Sequence, residues 1–486
     1  MPPTLSRPRS QPVGPLTADQ RWTLALASVG SFLVVLDLFA VSTALPTLRL
    51  ALRAPITTLD WTINAYTLTF AVLMMSASAL GDRWGRRPVY AGGLLLFTLA
   101  SAVCALAPDA GTLIAARAIQ GIGAAVLMPL ALALLNAAFS ADRRGWAMGV
   151  FGSVTGLATV LGPVLGGVIT QALSWSWIFW INVPVGVATA VAVLLRIQDS
   201  RGARRSLDPL GLVLGGVSAL ALVWGVVRAA GTGWGDETVL GLLLSGVVAL
   251  AALIVWERRA VQPMVPLHLF ADRTFAAGNA GMFLLTASLT AVVFFTAQFF
   301  QDAHGASPLA AGLRLLPLGV VPLVLAPWTG ARADRVGTRP LIVTGLVLQT
   351  IGTVALAVLA QPSVPYAVLA GAMVVVGVGF TLAVPALTKA VVGSVRPADI
   401  GSASGLFSTV RQLGGAFGVA ATSSAFTAAG GYGSAGDAAS GYRAATVVAA
   451  AFAALGLAAA LTAPVRRSNR VTPANLPPVS TTGNAL

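Results

Sequence analysis

The sequence predicts an all-α integral membrane protein with fourteen membrane-spanning helices. Two observations carry this. Of its 486 residues, 56% are hydrophobic and only 9% are charged, whereas a soluble domain carries about 25% charged residues. Mean hydropathy is +0.84, and apolar runs recur along the chain at close to the ~20 residues needed to cross a bilayer. A chain of this composition has too little polar surface to cover a water-soluble globule.

The elements follow in order. Residues 1–20 contain Pro2, Pro3, Pro8, Pro12 and Pro15 and read as a disordered tail. No cleavable signal is expected, because the first apolar run is long enough to span and lacks a small-residue cleavage site. Spans are expected at 22–46, 59–80, 89–107, 112–139, 145–172, 178–196 and 208–227. Seven more are expected at 237–256, 274–300, 310–330, 340–360, 365–389, 400–428 and 443–464. Residues 466–486 read as a second disordered tail.

Charge supports this count. With the N-terminus in the cytoplasm, 23 of the 30 basic residues fall on cytoplasmic segments and 5 on outer ones. Arg117 and Arg411 lie within spans. Loops on the cytoplasmic side of membrane proteins carry just such an excess of Arg and Lys, and an error of one span would invert every later loop. The net charge of +14 is therefore a topology signal; the arginines form no single basic domain for nucleic acid. Both termini are expected in the cytoplasm, and the arginine-, alanine- and glycine-rich composition points to a GC-rich bacterial genome.

Several chemistries are excluded. The one cysteine, Cys104, cannot form an intramolecular disulfide, and His268 and His304 form no metal-ligand motif. Lys389 is the only lysine and stands in Leu387-Thr388-Lys389-Ala390, so the chain has no phosphate-binding Gly-Lys-Ser/Thr loop. Gly401-Ser402-Ala403-Ser404-Gly405 has alanine where a nucleophile elbow needs serine. Neither an enzyme nor a membrane sensor with a soluble output domain is indicated.

An internal repeat divides the chain. Ser78-Ala-Leu-Gly-Asp82-Arg83-Trp-Gly85-Arg86-Arg87 is echoed by Gly330-Ala-Arg-Ala-Asp334-Arg335-Val-Gly337-Thr-Arg339. Eight spans separate the copies. The simplest account is two six-helix halves, 21–197 and 274–465, with a linker and two extra helices inserted over 198–273.

These residues resemble the major facilitator superfamily, in its fourteen-helix drug–proton antiporter branch. Gly81-Asp82-Arg83-Trp84-Gly85-Arg86-Arg87 is similar to the superfamily's loop 2–3 signature, with Ser78 where glycine is usual. Arg117-Ala-Ile-Gln120-Gly121-Ile-Gly123 resembles the span 4 motif, and Gly156-(x5)-Gly162-Pro163-Val-Leu-Gly166-Gly167 the antiporter motif of span 5. Leu36-Asp37-(x6)-Ala44-Leu45-Pro46 resembles the branch's span 1 signature, with Phe39 and Ser42 replacing a usual threonine and asparagine. Trp177-Ile-Phe179-Trp180-Ile-Asn182-Val-Pro184 and Arg411-Gln412-Leu413-Gly414-Gly415 also fit. The resemblance implies export of hydrophobic or cationic compounds from the cytoplasm by proton antiport through alternating access. It implies a monomer in the cell membrane, with no cofactor beyond the proton gradient. A dedicated exporter of one metabolite or self-made antibiotic is the alternative.

Asp37 reads as the only acidic residue deep inside a span, where a carboxylate costs about 2.5–3.5 kcal/mol to insert and is a functional candidate by default. Arg117 is expected at a comparable depth on span 4 and is the natural partner. One buried carboxylate predicts one proton per cycle. Transporter sites lie near the midplane between repeats, so Asn64, Tyr66, Gln120, Gln301 and Arg411 are candidate substrate contacts, and Trp61 reads equally well as an interfacial anchor. Asp82, Arg83, Gly85, Arg86, Arg87, Asp334 and Arg335 are expected to latch the halves conformationally. Gly162, Pro163, Gly166 and Gly167 are expected to form a kinked seal.

Overall fold

The computed structural model describes residues 16–201, 208–260, 263, 265, 267–396, 399–431 and 433–462. The described residues are predominantly helical, with no strand among them. Sixteen α-helices run in chain order among the described residues: α1 (Ala18–Leu52), α2 (Ile56–Trp84), α3 (Arg86–Ala105), α4 (Ala110–Ala138), α5 (Ala141–Ala172), α6 (Trp177–Trp180), α7 (Asn182–Arg196) and α8 (Pro209–Thr232). They continue as α9 (Glu237–Glu257), α10 (Arg273–Asp302), α11 (Pro308–Arg314), α12 (Leu316–Val336), α13 (Thr338–Val358), α14 (Tyr366–Val392), α15 (Ile400–Ala429) and α16 (Ala435–Leu461).

Eleven segments of the described chain are long and apolar enough to cross a membrane, with α6 and α7 together forming one of them. Helices α2, α12 and α15, of 29, 21 and 30 residues, bring the spanning segments to fourteen. Large apolar side chains are correspondingly exposed on the outer faces, as on α9, where Leu240, Leu244, Val247 and Val248 each expose more than half of their surface. In water such a patch is unfavourable, whereas against lipid it has no cost.

Helix starts are set by short polar side chains. Thr17 and Gln20 form a capping box, with Thr17 Oγ1 accepting from Gln20 N and Gln20 Oε1 accepting from Thr17 N, both at 3.2 Å. It starts α1 at Ala18, so part of the expected tail is helical. Asp109 caps α4 by accepting from Thr112 N at 2.8 Å, and those hydrogen bonds hold its carboxyl below the usual carboxylate pKa. Asp272 caps α10 in the same way through Thr274 N and Phe275 N.

Three spans depart from expectation. Helix α1 runs through Pro46 to Leu52 instead of ending at the proline, since a membrane helix tolerates the lost hydrogen bond when neighbours cover it. The sixth span breaks at Ile181, between α6 and α7, and the tenth at Leu315, between α11 and α12.

Helices α1–α7 pack among themselves, as do α10–α16. The extra pair α8 and α9 packs on itself and, through α8, on α2 and α15. The two six-helix halves meet along α2 with α15, α5 with α11 and α12, and α1 with α10. We call the end of the bundle where α1 begins the terminal end, and the opposite end, which carries the α1–α2 loop, the distal end.

Candidate functional site

A buried polar network sits inside the first half. Asp37, halfway along α1, is 1% exposed, and Arg117 and Gln120 on α4 are fully buried. Arg117 Nη1 donates to Asp37 Oδ2, forming an ion pair with neither side chain exposed. Arg117 Nη1 also donates to Gln120 Oε1 at 2.7 Å, and Arg117 Nε to the Thr62 carbonyl of α2 at 2.9 Å. Asp37 Oδ1 accepts from Gln120 Nε2 at 3.1 Å and from Asn182 Nδ2 at 3.0 Å.

A further shell fixes these partners. Asn182, at the start of α7 just past the break at Ile181, donates also to Ser101 Oγ at 3.1 Å. Ser101 in turn donates to the Phe179 carbonyl at 2.9 Å. The guanidinium lies over the Tyr66 ring, 4.1 Å from its centroid, and the Tyr66 hydroxyl donates to the Val34 carbonyl at 3.1 Å. A cation over an aromatic face in a dry site gains about 2 kcal/mol. Cys104 lies beside Gln120, its sulfur 3.6 Å from Oε1. Asn182 and Ser101 were not singled out in the sequence; the Trp177–Pro184 motif that contains Asn182 was the available signal.

The five substrate candidates divide. Tyr66 and Gln120 are fully buried and already engaged by Arg117, so in this conformation they position the ion pair and line no open cavity. Gln301 Nε2 donates to the Thr43 carbonyl at 3.2 Å, tying α10 to α1 across the halves. Arg411, partly exposed on α15, has no carboxylate partner among the described residues. Residues 411, 415 and 419 lie four apart and share one helix face. Gly415 faces Thr290 of α10, and Val419 lines a small pocket between the halves with Leu38, Phe39, Ile63, Thr290 and Phe294. Arg411 thus belongs to the stripe of α15 that faces the seam. Trp61 packs edge-on against Trp224 of α8, with centroids 5.9 Å apart.

Asn64 is fully buried, and neither of its amide atoms has a partner among the described residues. One turn earlier on α2 stands Asp60, 3% exposed. It corrects the expectation that Asp37 is the only acid deep inside a span. Helix α2 starts at Ile56 rather than at 59, which draws Asp60 one turn into the bundle.

The terminal-end loop between α2 and α3 is built around Gly85, whose φ of +101° only glycine adopts without strain. Arg86 grips Asp82 through Nε and Nη2, at 3.0 and 2.8 Å, and donates to the Ala133 carbonyl of α4 at 3.3 Å. Arg87 N donates to Asp199 Oδ1 at 3.2 Å, and its Nη1 to the Ile197 carbonyl at 3.4 Å. Arg83 is exposed. These bonds tie α2 and α3 to α4 and to the segment after α7, all within one half. Asp334 and Arg335 lie on α12, and their side chains are outside the described residues.

Along α5, a Cβ on Gly162 would lie 2.6 Å from Phe39 Cβ, and one on Gly166 2.6 Å from the Ala40 carbonyl oxygen, so α1 and α5 approach at backbone distance. One on Gly167 would lie 2.6 Å from Leu309 Cα of α11, and one on Gly312 of α11 2.7 Å from the Pro163 carbonyl carbon. Helix α5 thereby seats against α1 on one side and against the other half on the next, with Pro163 inside the helix at the crossing. By contrast, a Cβ on Gly156 would meet nothing within 4 Å.

Comparison with known proteins agrees with this architecture. The family model described as the Major Facilitator Superfamily matches residues 27–419 and 280–483. The tetracenomycin C resistance and export protein of Streptomyces glaucescens is 34% identical over 82% of this chain and 74% of its own length. The cephamycin export protein of Amycolatopsis lactamdurans is 37% identical over 83% and 84%. Among solved structures, a bacterial homologue of the human lysosomal transporter Spinster superposes with a TM-score of 0.65 at 16% identity, covering 92% of this chain and 98% of that one. Fold, spans and relatives agree: the chain is a multi-pass membrane protein that belongs to the major facilitator superfamily.

Proposed function

We propose that the protein is a proton-coupled antiporter that exports hydrophobic compounds, antibiotics among them, from the cytoplasm by alternating access. The observation that carries this reading is the Asp37–Arg117 pair, fully buried and held by hydrogen bonds with Gln120, Asn182 and the Thr62 carbonyl. An intramembrane acid with a cationic partner is a natural proton relay. Protonation of Asp37 removes the charge that Arg117 neutralises, and the guanidinium is then left with its hydrogen bonds to Gln120 and the Thr62 carbonyl alone. The network joins α1, α2, α4 and α7, so its rearrangement bears on α1, which contacts the other half. The driving force is about 1.36 kcal/mol per pH unit and about 2.3 kcal/mol per charge per 100 mV. In this reading the terminal end is cytoplasmic, the protein works as a monomer in the cell membrane, and it needs no cofactor.

The charge balance along the seam refines the substrate class. Asp37 is neutralised by Arg117 and offers nothing to a cation, whereas Arg411 faces the seam without a carboxylate partner. This favours neutral and acidic hydrophobic compounds over cationic ones. The relatives named for one compound each, tetracenomycin C and cephamycin, favour a second reading, a dedicated exporter of a single metabolite.

Efflux of fluorescent dyes from an efflux-deficient bacterium tests both points. Wild type is expected to export neutral and anionic lipophilic dyes, and a protonophore to stop it. Arg411→Gln is expected to lower anionic-dye export about tenfold, the equivalent of one 1.4 kcal/mol interaction, and to leave neutral-dye export intact. Protonophore-insensitive export contradicts the coupling. Export of one antibiotic and no dye places the single-metabolite reading first, and unchanged anion selectivity in Arg411→Gln removes Arg411 from the substrate path.

A further inference from the structure

We propose that Asp60 is a second proton-binding group, charged and discharged as the distal seam between the halves opens and closes. The proposal rests on the antiport reading for its place in the cycle, but not for its geometry. Asp60 lies one turn into α2, is 3% exposed, and faces the hydroxyl of Ser423 on α15 in the opposite half. Ser423 is likewise 3% exposed. Asp60 Oδ1 and Ser423 Oγ are both left without a hydrogen bond, as are both amide atoms of Asn64 one turn along the same face of α2. Buried polar atoms are satisfied in the great majority of cases. Four unsatisfied atoms, three within one turn of α2 and the fourth on α15 beside Asp60, on a joint between two halves that must separate, mark groups that find their partners in another conformation.

Among the described residues no cation pairs with Asp60. On α4, Arg117 is engaged by Asp37 of α1 and the Thr62 carbonyl, and Asp109 caps its own helix. On α8, Arg228 pairs with Asp236 at 3.6 Å. On α15, Arg411 stands twelve residues from Ser423, about 18 Å along the helix. Arg49, in the last turn of α1, acts on Asp302, and Arg86 and Arg87 of α3 are at the terminal end. An ionised carboxylate in that setting is costly, and such a group takes up a proton instead. With the seam shut, Asp60 is a neutral acid beside a serine. With it open, the carboxyl meets water on the distal side and releases its proton. Closing the seam therefore requires a proton from the distal side, which returns there when the seam opens, so Asp60 makes closure depend on pH without adding to the protons carried per cycle.

The test uses the full chain in lipid nanodiscs, with spin labels at Ala51→Cys and Ala435→Cys on the two distal rims and Cys104→Ser to remove the native thiol. In wild type the fraction with a long distal distance is expected to rise with pH. In Asp60→Asn the seam is expected to stay closed across the range, whereas Asp37→Asn is expected to keep a pH response. A wild-type response in Asp60→Asn, or no response in wild type, overturns the proposal. Transport in proteoliposomes supplies the second readout: Asp60→Asn, held closed, is expected to move neither substrate nor protons. Substrate export by Asp60→Asn at the wild-type rate contradicts the assignment of Asp60. Substrate movement with no proton flux in wild type contradicts antiport itself, while the spin-label result still decides whether Asp60 titrates.

Discussion

Arg117→Met is expected to destabilise the protein by about 3–5 kcal/mol, the cost of leaving one partner of a buried ion pair unpaired. Methionine fills much of the arginine's volume but removes the charge-assisted bond to Asp37 and the bonds to Gln120 and Thr62. The Asp37 carboxylate would then retain only the Gln120 and Asn182 amides against its charge. Adding Asp37→Asn removes that charge, so the double variant is expected to recover much of the stability and none of the coupled transport. Thermal unfolding of purified protein in detergent reads the first effect, and dye efflux the second. If the single and double variants unfold alike, the pair is not what stabilises the half. If the double variant exports as wild type does, the pair is not the relay.

Gly167→Val is expected to abolish export while leaving the protein in the membrane at the normal level. The added side chain must occupy space now held by the Pro308–Leu309 backbone, with Leu309 Cα at 2.6 Å from the Cβ position. Core overpacking costs typically 1–3 kcal/mol, and here the strain falls between halves that can separate instead of inside one of them. The distal seam is therefore held apart, and distal spin labels are expected to report a longer distance. Gly156→Val is the control, because its Cβ would meet nothing within 4 Å, and it is expected to export normally. Equal loss in both would show that these glycines are needed for helix insertion rather than for closure.

The sequence carried the fold at the level of spans and their order. Hydropathy and the alternation of arginine-rich loops suffice for that, because the bilayer fixes helix length and the inside charge fixes direction. The repeat of the Asp82 loop at Asp334 suggested two halves, and α1–α7 and α10–α16 each pack among themselves. The pairing of Asp37 with Arg117 was legible from depth alone, since each is the charged residue placed in mid-span on its helix. What the sequence hid depends on helix ends and rotation. Pro46 looked like a terminus, yet α1 continues six residues past it. A start drawn three residues late put Asp60 at the rim, when one further turn buries it against Ser423. Tyr66 and Gln120 were read as substrate contacts because a polar tip in a span can face a cavity or a neighbour, and only the rotation of α2 and α4 shows that they face Arg117. Asn182 was hidden by the break at Ile181, which turns a residue of an apolar span toward Asp37.

The most direct test of the account is substrate-driven proton movement in proteoliposomes, comparing wild type with Asp37→Asn at equal reconstituted amounts. An imposed pH gradient is expected to drive accumulation of an exported dye through wild type, with protons moving in the opposite direction. Asp37→Asn is expected to bind the dye and show neither movement. Gradient-driven accumulation by Asp37→Asn at the wild-type rate would contradict the assignment of proton coupling to the Asp37–Arg117 pair.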